Sequence, residues 1–214
     1  DMVAIVQEGL KAYAPGAAVY IRPMYWGLDG DVTAIVPSAD TTGFAVCLEE
    51  IPMAAADSTV SLCKTQFRRP VLDSAVVNAK AGCLYPNNAR MLREARLKGF
   101  NNTLTCDAMG NVAETATSNV FMVRDGEVFT PIPNGTFLAG ITRARHIENL
   151  RADGVTVHET ILGYGDFEEA DEIFLSGNMS KVTPVKAFED QQYQIGSITR
   201  RVREMYWDWA ATSA

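Results

Sequence analysis

Three short segments of the sequence carry residues that could act together on one small molecule. Lys80 follows a short apolar run and is flanked by alanine and glycine, which leave space for a ring. A lysine that loses its water in such surroundings also loses basicity and can form a Schiff base. Glu114 ends a predicted hairpin beside a loop of small residues, and Gly140-Ile141-Thr142 begins a predicted helix.

Each segment has an ordinary interpretation when it is taken alone. Most lysines are solvated, and many helices begin with glycine and threonine for capping only. A helix N-terminus nevertheless presents free N–H groups and the positive end of its dipole to an anion. Together, a lysine, a carboxylate and an anion-binding helix describe a pyridoxal phosphate site, in which the lysine binds the aldehyde and the carboxylate keeps the ring nitrogen protonated.

The sequence of the rest of the chain predicts a mixed α/β (α+β) protein. Apolar residues at helical spacing predict helices over residues 1–13, 89–99, 140–154 and 166–171 and from Ser197 onward. Trp207 is expected to be exposed or at an interface, and Asn87 or Asn88 is the predicted cap of the second helix. Strands are predicted at residues 18–23, 31–36, 43–48, 103–107, 119–124, 127–130, 155–159, 172–176 and 181–186. The Asp125-Gly126 turn is the strongest hairpin signal.

The pattern predicts two subdomains. A small α/β subdomain covers residues 1–66, a linker without clear periodicity covers 67–75, and a large subdomain covers 76–214. The chain begins at Asp1, without methionine, directly in an amphipathic helix. We therefore expect the small subdomain to lack an N-terminal segment.

Composition restricts the function. The net charge of −7 and the absence of long basic runs argue against a nucleic-acid surface and favour a small-molecule partner. The four cysteines are scattered and the two histidines do not have zinc-ligand spacing, so we expect no metal site and reduced thiols in a cytoplasmic protein. The sequence contains neither a membrane-spanning apolar run nor a signal-peptide pattern.

Several linked motifs occur in a fixed order. They are Ala79-Lys80-Ala81 with Tyr85, Gly110-Asn111-Val112-Ala113-Glu114 with Ser118-Asn119-Val120-Phe121, Val123-Arg124-Asp125-Gly126 with Thr130-Pro131, Leu138-Ala139-Gly140-Ile141-Thr142-Arg143, Ala170-Asp171-Glu172-Ile173-Phe174, and Thr183-Pro184-Val185. In this order they resemble the class IV pyridoxal-phosphate aminotransferases, with branched-chain amino acid aminotransferases the nearest branch. The similarity runs almost without gaps from Lys80 to Val185 and more loosely over both ends.

The resemblance implies a role for each candidate cofactor residue. Lys80 is similar to the Schiff-base lysine, which also moves the proton between the substrate α-carbon and the cofactor. Glu114 resembles the partner of the pyridine nitrogen, and Tyr85 the phenol beside the ring oxygen. Ile141 and Thr142 resemble the phosphate-binding helix start.

The resemblance also implies contacts to the substrate. Asn178 corresponds to a phosphate contact, and Thr117 and Met179 to substrate-binding positions. Arg22 is similar to an arginine that binds the side-chain carboxylate of glutamate in some members. From the sequence alone, an edge-strand arginine packed beside Tyr25 and Trp26 is the favoured interpretation of Arg22, and an anion contact is the alternative.

Three departures from the family pattern stand out. Asn178-Met179 replaces the usual threonine and alanine after the Ser176-Gly177 turn. The loop that follows Glu114 has more methyl groups than the glycine-rich version. The family's phosphate-binding arginine, which lies in an N-terminal segment, has no counterpart in this sequence.

The resemblance implies a two-subdomain class IV fold and a homodimer in which each pocket is completed by the partner. It also implies ping-pong transamination between an amino acid, branched-chain and of the L series, and 2-oxoglutarate. Three alternatives remain open. Two are other activities of the fold, D-amino acid transamination and aminodeoxychorismate lyase; the third is a non-catalytic binding protein, which the joint presence of Lys80, Glu114, Tyr85 and Thr142 disfavours.

Overall fold

The structure of the protein, a computed structural model, describes residues 1–33 and 35–212. The chain divides into two compact units, Asp1–Ala54 and Ala55–Ala214. The α-helices of the described residues are α1 (Met2–Leu10), α2 (Tyr85–Leu97), α3 (Ile141–Ala152), α4 (Tyr164–Glu168) and α5 (Ser197–Thr212), and a 3-10 helix covers Gly82–Leu84. The strands are β1 (Val19–Gly27), β2 (Thr42–Glu50), β3 (Val60–Arg68), β4 (Asn102–Cys106), β5 (Val112–Thr115), β6 (Asn119–Arg124), β7 (Glu127–Pro131), β8 (Val157–Thr160), β9 (Glu172–Gly177), β10 (Lys181–Phe188) and β11 (Gln191–Gln192).

The first unit is an antiparallel hairpin with one helix. Strands β1 and β2 pair along their full length, and α1 packs on β2. Helix α1 approaches closely because Gly9 has no side chain: a Cβ there would lie 2.4 Å from Leu48 Cδ1. Tyr13, just beyond the helix, donates its hydroxyl to the Leu48 carbonyl at 2.7 Å.

The second unit is built on one mixed sheet. Eight of its strands follow the order β5-β4-β3-β10-β9-β6-β7-β8, and β11 pairs with β10. Strand β3 pairs in parallel with both β4 and β10, whereas β6 pairs antiparallel with β7 and β9. Chain reversals at tight turns, such as the one at Asp125-Gly126, explain why antiparallel pairs are common here.

Both faces of the central strands are buried. Along β6, Val120 and Met122 join one apolar cluster, whereas Phe121 and Val123 join a second cluster with side chains of α3 and α5. The Phe121 and Phe174 rings stack with their centroids 4.8 Å apart. Because successive side chains of a strand point to opposite faces, an unbroken apolar run is what a sheet covered on both sides requires.

Most predicted elements of the second unit are present with shifted ends. A predicted strand of the first unit, an additional strand of the second unit and the boundary between the units differ from the sequence analysis. The described residues of the range 31–36 do not form the predicted strand. The Asp31 carboxylate instead accepts hydrogen bonds from Thr33 and Val36 and stabilises a turn. The prediction for Ala34 falls on a position that the structure does not describe. Strand β3 was not predicted. It also moves the unit boundary from the predicted residues 66–67 to Ala54 and Ala55, because β3 belongs to the large sheet.

Helices α2 and α5 test two finer predictions. Helix α2 begins at Tyr85, so Asn87 and Asn88 lie in its first turn and the predicted cap is wrong. Trp207 of α5 is 37% exposed, as predicted. No helix in residues 1–33 and 35–212 is both long and apolar enough to cross a bilayer.

Glu172 attaches α5 to the sheet. Its carboxylate accepts hydrogen bonds from the Thr199 amide at 2.8 Å, from the Thr199 hydroxyl at 2.6 Å and from the Ile198 amide at 3.2 Å. Gly196 leaves the necessary space, because a Cβ there would lie 1.9 Å from the Glu172 carboxyl group. The motif Ala170-Asp171-Glu172 therefore contains the cap of the last helix.

We expect Glu172→Ala to lower the free energy of unfolding by about 2 kcal/mol, because buried N–H and O–H donors lose a charged acceptor. Urea unfolding followed by tryptophan fluorescence measures this change. The control is Glu169→Ala, whose side chain is 77% exposed and 3.9 Å from Arg124, and which should change stability by less than about 0.5 kcal/mol. Equal losses in the two variants would contradict the capping role.

Candidate active site

Glu114 lies in β5 with its carboxylate enclosed. The residue is 8% exposed, and its carbonyl accepts a hydrogen bond from the Thr105 hydroxyl at 2.6 Å, which fixes β5 beside β4. One carboxylate oxygen, Oε1, lies 2.9 Å from Arg69 Nη2. The other, Oε2, accepts a longer hydrogen bond of 3.4 Å from Asn119 Nδ2. Each oxygen of the buried carboxylate therefore has a donor.

The pKa of Glu114 is set by two opposing effects. Burial raises the pKa to about 7, and the positive charges of Arg69 and Lys80 act against that rise. A cation at 2.9 Å favours the carboxylate, but the lost hydration of the carboxylate outweighs it. A further cation at this site, such as a protonated ring nitrogen, would favour the charged form. Lys80 therefore lies within electrostatic range of the Glu114 carboxylate.

Arg69 was not predicted as a site residue. It follows β3 directly, in the segment interpreted as a linker, and is 4% exposed. In addition to its ion pair, its guanidinium donates to the Thr136 carbonyl at 3.2 Å and to Asn88 Oδ1 at 2.7 Å. Arg69 therefore connects Glu114 to α2 and to the loop before α3. No local pattern distinguishes it from the exposed Arg68 beside it.

The start of α3 is held from two sides. Gly140, its N-cap, donates its N–H to Asn119 Oδ1 at 3.1 Å. The guanidinium of Arg143, in the first turn, donates to the Pro131 carbonyl at 2.9 Å and lies 3.0 Å from Glu159. Gly140 has no side chain of its own to cap the helix. The predicted phosphate contacts, Ile141 and Thr142, therefore belong to a fixed first turn.

Lys80 and Tyr85 lie on either side of the 3-10 helix Gly82–Leu84. Both residues are exposed, Tyr85 to 53%. Tyr85 is the first residue of α2, and the buried Leu84 precedes it. The short helix thus places the lysine and the phenol near each other in the chain while both remain accessible to a ligand.

The predicted substrate residues Thr117 and Met179 and the predicted phosphate contact Asn178 have different surroundings. The Thr117 hydroxyl accepts a hydrogen bond from Asn102 Nδ2 at 2.9 Å, which fixes the loop after Glu114. Asn178 Oδ1 accepts one from Lys181 Nζ at 2.7 Å, so the Asn178 side chain is engaged within its own turn. Met179 is 54% exposed. The Asn178 side chain is not brought to Glu114 or Lys80 by any of these contacts.

Arg22 belongs to the first unit. It lies in β1 opposite Cys47 of β2, is exposed, and its guanidinium carbon is 5.4 Å from the centre of the Tyr20 ring. A stacked, exposed arginine is available to an anion. Its role in substrate binding remains a prediction.

Solved structures of aminotransferases superpose on this chain. An aminotransferase from Brucella abortus, bound to the cofactor PLP, superposes with a TM-score of 0.94 at 60% identity, covering 97% of this chain and 74% of that chain. A branched-chain aminotransferase from Thermoproteus uzoniensis with norvaline superposes with a TM-score of 0.86 at 26% identity, covering 96% of this chain and 69% of that chain. The predicted fold class is thereby confirmed.

Sequence comparison agrees. Residues 1–188 match the model of the family described as "Amino-transferase class IV", and the chain belongs to this family. The branched-chain-amino-acid aminotransferase of Salmonella typhimurium is 28% identical over 196 residues, which cover 88% of this chain and 63% of the relative. A probable branched-chain-amino-acid aminotransferase of Aquifex aeolicus is 29% identical over 213 residues. The chain thus spans less than two thirds of the length of the Salmonella enzyme.

We expect Arg69→Met to raise the pKa of Glu114 above 7, because the largest opposing charge is removed. Carbon-detected NMR titration of the unliganded protein measures this pKa, with Glu114→Gln used to assign the signal. Arg69→Lys retains a charge without the guanidinium fork and should raise the pKa less. Arg68→Met, one residue earlier and exposed, should leave it unchanged; a similar rise in both methionine variants would contradict the assignment.

The raised pKa of Glu114 determines whether the stability of the protein rises or falls with pH. A free glutamate has a pKa of 4.5, below the value in the folded protein. Between pH 4.5 and about 7 the folded protein therefore holds a proton that the unfolded chain has lost. The contribution of Glu114 to the free energy of unfolding falls as the pH rises through this interval.

Proposed function

We propose that the protein is a pyridoxal-phosphate-dependent aminotransferase that transfers the amino group of a branched-chain L-amino acid to 2-oxoglutarate. The observation that supports the proposal is the buried Glu114 carboxylate, which Asn119 connects to the start of α3. The charge of Lys80 acts on the Glu114 carboxylate, and Asn119 connects that carboxylate to Gly140. The branched-chain preference is supported by the names of the relatives.

The residues present fit this cofactor. A buried carboxylate with a pKa raised to about 7 gains from contact with a cationic ring nitrogen. The first turn of α3, whose N-cap Gly140 has no side chain, offers N–H groups to a phosphate. Ser176, at the end of β9, lies opposite Asn119 and has a buried hydroxyl without a partner in the described chain. Buried polar groups are usually hydrogen-bonded, so this hydroxyl is a further candidate contact.

Each residue has a defined task in the proposed reaction. When bound, pyridoxal phosphate supplies an aldehyde for the amino group and a ring that accepts electrons. Lys80 Nζ would bind the cofactor aldehyde and would carry the proton between the substrate α-carbon and the cofactor. The Glu114 carboxylate would keep the ring nitrogen protonated. The Tyr85 hydroxyl would donate to the ring oxygen. The backbone amides of Ile141 and Thr142 and the Thr142 hydroxyl would hold the phosphate.

Three finer points belong to the proposal. The substrate residues are Arg22, Thr117 and Met179, with Asn178 at the phosphate, as the family pattern implies. The protein is a homodimer whose pockets are completed by the partner. It works in the cytoplasm, which suits the four cysteines, since none forms a disulfide within the described residues.

A substrate panel tests the choice of reaction. The purified protein with pyridoxal phosphate is assayed with L-valine, L-leucine, L-isoleucine, D-alanine and aminodeoxychorismate, with 2-oxoglutarate as the acceptor for the amino acids. Turnover of the branched-chain L-amino acids supports the proposal. Preferential turnover of D-alanine or of aminodeoxychorismate would replace it with one of the other activities of the fold. Binding without any turnover would favour a non-catalytic protein.

We expect Lys80→Ala to abolish the visible absorbance of the lysine-bound cofactor and to lower kcat at least about 10³-fold, because nucleophile and base are lost together. Absorbance spectra and steady-state assays measure the two effects. Lys186→Ala, at an exposed position of β10, is the matched control and should retain both. Retention of absorbance and turnover in Lys80→Ala would refute the central assignment.

Glu114→Gln should separate cofactor attachment from turnover. An amide has nearly the shape of the carboxylate but cannot hold a proton on the ring nitrogen, so we expect kcat to fall about 10²-fold while most of the visible absorbance remains. The exposed Glu169→Gln serves as the control. Equal loss of absorbance and kcat would count against the assigned role.

A further inference from the structure

Asn119 is the first residue of β6 and contacts both ends of the proposed cofactor site. The residue is 7% exposed. Its Nδ2 donates to the Leu138 carbonyl at 2.9 Å and to Glu114 Oε2 at 3.4 Å, and its Oδ1 accepts from the Gly140 N–H at 3.1 Å. One side-chain amide therefore joins the carboxylate of β5 to the start of α3.

The orientation of this amide is determined by its partners. A carbonyl and a carboxylate accept hydrogen bonds only, so both must face the NH₂ group of Asn119, whereas the Gly140 N–H must face the oxygen. Turning the amide over would place two acceptors against Oδ1 and two donors against each other. The contacts thus fix the side chain as well as the two elements that it joins.

Gly140 is adapted to this contact. Its φ of −68° is available to any residue, so backbone freedom does not explain the glycine. A Cβ at position 140 would instead lie 2.5 Å from Asn119 Oδ1, closer than two such atoms can approach. Because Asn119 is held by two other partners, it cannot easily move aside. The absence of a side chain at Gly140 lets the helix start approach Asn119.

We propose that Asn119 is a positioning residue that sets the separation between the Glu114 carboxylate and the phosphate-binding turn of α3. The inference rests on the proposed function, since it is the cofactor that would span these two groups. A ligand of fixed length, with a ring nitrogen at one end and a phosphate at the other, binds well only when both contact groups are held at the matching distance. Asn119 links the two groups directly, without passing through the sheet.

An alternative explanation is that Asn119 only satisfies buried backbone groups. In that case its loss would lower stability and leave the cofactor contacts of folded protein intact. The two explanations differ in whether affinity for the cofactor falls in variants that remain folded, and in whether the change depends on the phosphate. They differ also in the pKa of Glu114 in protein without cofactor.

The experiment compares pyridoxal phosphate with pyridoxal, which has the ring but no phosphate. Dissociation constants for both are measured by absorbance titration for the wild type, Asn119→Ala, Asn119→Asp and Gly140→Ala. Near-ultraviolet circular dichroism verifies that each variant is folded. Two controls match the changes: Asn149→Ala, whose amide donates to the Met205 carbonyl near the other end of α3, and Gly163→Ala, at the N-cap of α4, where a Cβ would meet only Asp166, at 3.8 Å.

We expect Asn119→Ala and Gly140→Ala to weaken pyridoxal phosphate binding about 10-fold or more and pyridoxal binding less, because the phosphate turn is displaced. Asn119→Asp retains the acceptor for Gly140 but places a carboxylate beside Glu114, so it should raise the pKa of Glu114 in the NMR titration and weaken both ligands. The control variants should remain within about twofold of the wild type.

Two results are distinguishable. If the wild type does not bind pyridoxal phosphate, the proposed function itself is overturned, and this inference with it. If the wild type binds it, two results would overturn the positioning role alone. In the first, folded Asn119→Ala and Gly140→Ala bind pyridoxal phosphate within twofold of the wild type. In the second, these variants lose affinity for pyridoxal phosphate and for pyridoxal by the same factor.

Discussion

The buried ion pair between Arg69 and Glu114 is the interaction on which the arrangement of the candidate site depends. A carboxylate in this position loses most of its hydration, and its pKa of about 7 reflects that loss despite two nearby cations. Such a charge is tolerated only when it is paired and hydrogen-bonded. Arg69 meets this need and, through Asn88 and Thr136, also fixes the segments that surround the pocket. The electrostatics of the carboxylate and the position of α2 are therefore coupled through one guanidinium.

The sheet supplies the frame for this pair. Its central strands are covered on both faces, so their middle positions are apolar and polar groups collect at the strand ends. Asn119 begins β6, and its register partner Ser176 lies next to the end of β9. Both belong to the face on which Phe121 and Phe174 stack, the face that α3 covers. The polar site is thus the place where the apolar cover of the sheet stops.

Features with local causes were predictable from the sequence. The Asp125-Gly126 hairpin and the helix that begins after Gly140 follow from turn and capping preferences within a few residues, and both are present. The family motifs also led to Lys80 and Glu114 as a pair. The contribution of Arg69 could not be found in this way, because its partners lie far along the chain and its own segment has no period. Strand β3 was missed for a related reason: it is paired in parallel on both sides, and no hairpin turn marks it.

The attachment of α5 through Glu172 has a consequence for how the chain acquires its structure. Val202 and Met205 of α5 complete the cluster around Phe121 and Phe174, and they are contributed by the last helix of the described chain. During synthesis, the strands that carry these two phenylalanines leave the ribosome well before the helix that covers them. Partly folded chains with uncovered apolar surface are prone to aggregate. Until α5 is made, the part of this aromatic sheet face that α5 covers is therefore open to other chains, and the contact of Thr199 with Glu172 holds the covering helix in place.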